Sequence, residues 1–110
     1  MRFYSTNNKA ISVGFKEALF HGLAPDGGLY MPATIPQLGI DFFKSDFSYP
    51  ELAVGMIYPF TEGDLTHAQL TDICELAFNF PMQIKELNKT DSILELFHGP
   101  TLAFKDFAAR

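Results

Sequence analysis

The sequence is poor in three things: thiols, positive charge and long apolar runs. Its single cysteine, Cys74, excludes an internal disulfide and offers no CxxC pair for a metal, which fits a reducing compartment. Eight basic residues face thirteen acidic ones, and the resulting formal charge of -5 is spread along the chain. That balance argues against nucleic acid or an anionic membrane surface as a partner. No apolar stretch approaches membrane-spanning length, and the opening MRFYSTNNKA has neither the apolar core of a signal peptide nor the arginine-rich pattern of a transit peptide. Together these absences predict a soluble, cytoplasmic protein with no nucleic-acid and no membrane partner.

What is present is apolar mass. With 47% hydrophobic and 15% aromatic residues in 110, the chain can build one core and is too short for two domains. Helical patterning still runs at Ala108, Ala109 and Arg110 without a glycine or proline stop, which predicts a fragment of a longer protein.

The local signals alternate between strand and helix. Residues 3–6 read as a strand closed by Asn7 and Asn8. Ile11, Phe15, Ala18, Leu19 and Leu23 recur at helical spacing, with Ser12 as the expected N-cap and Gly22 as the C-terminal stop. Pro25, Asp26, Gly27 and Gly28 predict a sharp turn before a strand at residues 29–31; a phosphate cradle is disfavoured there, because no GxGxxG or lysine-serine pair follows. Residues 33–47 read as an irregular connection. Ser48-x-x-Glu51 and Thr66-x-x-Gln69 are capping boxes, each opening a helix: the first buries Leu52, Ala53, Met56 and Ile57 and ends at Pro59, the second buries Leu70, Ile73, Cys74, Ala77 and Phe78. Leu65 is placed to staple onto Leu70. Cys74 lies on that apolar face as an inert buried thiol, while His21 and His67 fall at helix ends and read as solvated. Two short strands at 84–87 and 93–97 flank a polar connection of hairpin length, Gly99 and Pro100 end the second, and Thr101 is the expected cap of a helix from Leu102. The fold class is mixed α/β of the α+β kind, without a clean βαβ repeat.

Lys105 is the residue that asks for chemistry. It sits near the start of this last helix among Phe97, Leu102, Phe104 and Phe107. A helix N-terminus and apolar neighbours both disfavour ammonium, and an uncharged amine attacks carbonyls. The alternative is an ordinary solvated lysine on an amphipathic helix, with Asp106 beside it by chance. Local physics leaves both open.

The string HGPTLAFKDFA at residues 98–108, with YST at 4–6 and GLAPDGGLYMP at 22–32, closely resembles the N-terminal region of threonine synthases through their pyridoxal phosphate lysine motif. The resemblance covers essentially the whole chain and rests on motifs about seventy residues apart. It implies the start of a fold type II enzyme: an N-terminal domain over residues 1–92, then at 93–110 the beginning of the pyridoxal-phosphate catalytic domain, truncated. It implies conversion of O-phospho-L-homoserine and water to L-threonine and phosphate, with Lys105 as both Schiff-base anchor and proton carrier. Thr101 is the candidate substrate contact, with helix capping as its competing explanation; His98, Gly99 and Pro100 shape the turn, and Phe104 and Phe107 form walls. The implied partners are that small-molecule substrate and the missing C-terminal part of the same chain, and the segment alone is expected to be inactive. Two alternatives stand beside this: a non-catalytic structural or interaction domain, and a threonine synthase-like phospho-lyase with a different product.

Overall fold

Three strands, a helical pair and a hairpin follow one another in the computed structural model, which describes residues 1–108. The first unit is a three-stranded antiparallel sheet of order β2-β1-β3, built from β1 (Phe3–Ser5), β2 (Ser12–Val13) and β3 (Tyr30–Pro32). Its register pairs Phe3 with both Val13 and Pro32. Helix α1 (Phe15–His21) crosses between β2 and β3 and ends at Gly22 as expected. Its start differs from the expectation: Ser12 belongs to β2, and Gly14 is the N-cap with no side-chain bond. Strand pairing to Tyr4 uses the backbone that the apolar spacing had assigned to a helix. The face differs too, since α1 buries none of its residues and Leu19 and Phe20 are exposed.

The turn before β3 is held by a polar knot around the buried Ser5. Ser5, fully buried, donates from Oγ to Asp26 Oδ1 at 2.7 Å, and Gly28 N donates to the same oxygen at 3.0 Å. A Cβ at position 28 would collide with Ser5 Oγ, so only glycine lets the loop close on the strand. These donors hold the Asp26 carboxyl below its usual range, the Ser5 hydroxyl contributing most.

The core lies between α3 (Tyr49–Thr61) and α4 (His67–Ala77). Both capping boxes form: Ser48 N donates to Glu51 Oε2 at 2.8 Å, and Thr66 N donates to Gln69 Oε1 at 3.0 Å. The buried cluster is Ala53, Val54, Leu70 and Cys74, with Ile57, Tyr58, Leu65 and Phe78 packed on its rim. Leu65 thus packs against the cluster that contains Leu70, the residue it was expected to staple. Met56 and Ile73 face outward instead, because the α3–α4 contact is narrower than the apolar stripes suggest. Pro59 does not end α3: it lies inside the helix, which runs to Thr61. One backbone donor is lost there, and the turn continues because Glu62 N still reaches Tyr58 O at 2.9 Å. The connection at 33–47 is irregular except for the single turn α2 (Ile40–Phe43), whose Phe42 ring packs on Gly55 of α3.

Beyond α4, β4 (Gln83–Glu86) and β5 (Ser92–Glu95) form an antiparallel hairpin in which Ile84 faces Leu94 and Lys85 faces Ile93. It straddles the expected boundary at 92/93. The last element, α5 (Lys105–Ala108), is one turn long and starts three residues later than expected. Ala109 and Arg110, where helical patterning was read to continue, lie outside the described residues.

Candidate functional site

The site is a loop, 99–104, that delivers Lys105 to the first position of α5. Two fixtures hold it. The first is aromatic: Phe107 packs at 4.9 Å from Phe80 and 5.9 Å from Tyr49, ring centroid to centroid, and Tyr49 also meets Phe78 at 4.8 Å. This cluster ties α5 to the N-terminus of α3 and the C-terminus of α4, and burial pushes the Tyr49 hydroxyl up from its ordinary 10.0.

The second fixture is polar. Asp106 is 4% exposed, and its Oδ2 accepts from Thr101 N at 2.9 Å and from Thr101 Oγ1 at 2.8 Å. Gly99 lies directly on that carboxylate, and a Cβ there would collide with Asp106 Cβ and Cγ. Within the loop Leu102 adopts φ 58, a left-handed conformation that a branched side chain occupies at a cost of about 1–2 kcal/mol. Its amide closes a turn onto Gly99 O at 3.0 Å.

Lys105 itself is exposed and makes no ion pair among the described residues. The apolar enclosure expected around it is absent, since Phe97, Leu102 and Phe104 are all exposed as well. Only Phe107 of that set is half-buried. Thr101 is not the helix cap: three residues separate it from α5, and both its amide and its hydroxyl are taken by Asp106. Just upstream, His98 Nε2 meets Glu95 Oε2 at 2.7 Å, with the imidazole 4.6 Å from the Phe97 ring. From sequence, His98 is expected only to shape the turn and Asp106 only to neighbour Lys105; neither the Glu95 pair nor the Thr101 bonds are expected. The i,i+3 spacing of Glu95 and His98 was a usable signal; the reach of Asp106 back to Thr101 depends on a loop conformation that no periodicity encodes.

Other candidates lie elsewhere. A groove of about 530 Å³ runs between Phe42, Phe47, Val54, His67 and Glu75 and does not include Lys105. Cys74 is 1% exposed, and burial pushes its thiol above the ordinary 9.0, as an inert core residue requires. No helix among the described residues is long and apolar enough to cross a membrane.

Fold and site together define a mixed helix-and-strand module that presents one lysine on a braced loop. A family model described as "Threonine synthase N terminus" matches residues 2–78. Threonine synthase from Pseudomonas aeruginosa is 40% identical over 115 residues, covering 98% of this chain and 24% of that protein. Human threonine synthase-like 2 is 38% identical, again over 98% of this chain and 24% of its own length. The crystal structure of PLP-bound threonine synthase from Brucella melitensis superposes with a TM-score of 0.86 and 38% identity, over 96% of this chain and 24% of that one. The chain therefore belongs to the threonine synthase N-terminus family. It spans about a quarter of the length of the curated relatives it matches.

Proposed function

We propose that the chain is the N-terminal segment of a threonine synthase, the pyridoxal-phosphate lyase that converts O-phospho-L-homoserine and water to L-threonine and phosphate in the cytoplasm. The observation that carries this reading is the HGPTLAFKDFA string on a braced loop, in a chain about two-fifths identical to a threonine synthase. Residues 1–92 are read as the N-terminal domain and 93–110 as the opening of the cofactor domain.

The residues present fit the group. An exposed amine without an ion pair, on a main chain fixed by Asp106 and Phe107, is what a covalent anchor needs. Pyridoxal phosphate, when bound, supplies an electron sink for carbanion chemistry at the substrate. Lys105 would hold it, and its Nζ would take protons from the substrate α and β carbons and return them at the α and γ carbons. Phosphate leaves from the γ carbon and water adds at the β carbon. Thr101 borders the same loop and contacts substrate through the hydroxyl lone pairs that Asp106 leaves uncommitted. The 110 residues alone offer the amine without the groups that position a cofactor, so no turnover is expected from them.

The test is borohydride reduction of the full-length protein with pyridoxal phosphate, followed by peptide mapping, with threonine formation from O-phosphohomoserine measured alongside. An adduct confined to Lys105, lost in Lys105→Ala together with turnover, supports the reading; labelling spread over several lysines counts against it. The similarity to human threonine synthase-like 2 favours a second reading, a phospho-lyase with another product. Release of 2-oxobutyrate in place of threonine would select it. Retention of turnover in Lys105→Ala would leave the segment an interaction domain.

A further inference from the structure

We propose that Asp106 is a positioning residue for Lys105: its carboxylate locks Thr101 by main chain and side chain, and so fixes the loop that aims the lysine amine. The inference rests on the threonine synthase reading for its kinetic consequence, and on geometry for the rest. A carboxylate buried to 4% exposure needs donors, and Thr101 supplies two to one oxygen, at 2.9 and 2.8 Å. The ring closed by these bonds spans positions 101–106 and contains Lys105.

Three further features make the lock specific. Gly99 packs its bare backbone on the carboxylate, where any side chain would displace Asp106. Leu102 holds a left-handed backbone that an untethered loop would abandon. Phe107 is seated against Phe80 and Tyr49, so the two residues that follow Lys105 are held, Asp106 by the polar lock and Phe107 by aromatic packing. The lysine side chain itself is left exposed. The same bonds also restrict Thr101: a phosphate requires donors, and Thr101 has committed both of its own to Asp106.

The test uses the full-length protein and the variants Asp106→Asn, Thr101→Val and Thr101→Ser. Because Asp106 is buried and its variant can fail to fold, Thr101→Val, at an exposed position, carries the decision. Asp106→Asn, which keeps the Thr101 hydroxyl, should lower kcat about tenfold while KM for O-phosphohomoserine changes less than about threefold, as expected for loss of a charge-assisted hydrogen bond that orients a catalytic group; Thr101→Val should lower kcat as much, and its change in KM reads the substrate contact. Thr101→Ser should restore kcat, and the double variant should be no worse than the weaker single one. Amide exchange at Thr101 and Leu102 should quicken about tenfold in Asp106→Asn while Leu70 is unchanged. The proposal is overturned if Thr101→Val leaves kcat and exchange at their wild-type values, if the Asp106→Asn loss appears in KM alone, or if the two single losses multiply. A wild-type protein that forms no threonine would defeat the functional reading instead, and the exchange arm would still decide whether Asp106 locks the loop.

Discussion

The α3–α4 pair and the segment from β4 to α5 both carry leucine, isoleucine and phenylalanine in quantity, and they use them in opposite ways. The helical pair turns Ala53, Val54, Leu70 and Cys74 toward one another and closes each N-terminus with a reciprocal cap. The later segment leaves Ile84, Leu87, Ile93, Leu94, Phe97, Leu102 and Phe104 exposed, and is held by the Phe107 aromatic contacts and the Asp106 lock. Stability resides in the first region and candidate chemistry in the second. An exposed apolar face of this extent marks a contact surface.

The contrast can be broken most severely from the core. Leu70→Ala should cost about 2–5 kcal/mol in urea denaturation, by lost transfer energy and the cavity left behind. A loss under about 1 kcal/mol would mean that the helical pair is not the stabilising unit. Thr66→Ala should cost about 1 kcal/mol by removing the α4 cap, read as a lower denaturation midpoint at unchanged slope. Ile84→Ala on the exposed hairpin should stay within about 0.5 kcal/mol in the 110-residue chain, and a larger value would show the hairpin to be packed.

Proton linkage sharpens the comparison last. The Ser48 hydroxyl, then its amide, holds Glu51 below the ordinary 4.5, so the Glu51 contribution is present above that value and lost as pH falls through the lowered one. Ser48→Ala should flatten this part of the acid limb of a stability profile. Cys74 works in the other direction: its raised value makes the unfolded chain ionise first, so its contribution is whole below 9.0 and fades as pH rises beyond. Alkylation of Cys74 at pH 8 should accordingly be much slower in the folded chain than in urea; equal rates would show the thiol to be accessible.

Elements fixed by short-range chemistry were legible. Both capping boxes, the glycine stop of α1 and the polar connection of the hairpin could be read because a few residues at set spacing satisfy backbone donors or force a turn. Elements fixed by distant partners were not. The Ser12 backbone pairs across to Tyr4, which no helical periodicity could exclude. Pro59 is tolerated because the next turn finds its acceptors. At the site, the motif pointed to Lys105, but its physical justification, enclosure by phenylalanines, is missing from the structure. The bracing by Asp106 that takes its place needed coordinates to be seen, since adjacent residues in a helical reading point apart.

The β4–β5 hairpin carries one consequence for handling the isolated chain. It is a two-stranded sheet, so each strand has an outer edge with no ladder partner among the described residues. Ile84, Ile93 and Leu94 are exposed beside those edges, and edge-to-edge pairing between copies is the expected route to aggregation. Lys85 and Glu86 on β4, both exposed, are the only gatekeepers along that strand, because Gln83 and Ile84 carry no charge. An additional lysine at position 84 or 94 should raise the concentration at which the chain stays monomeric.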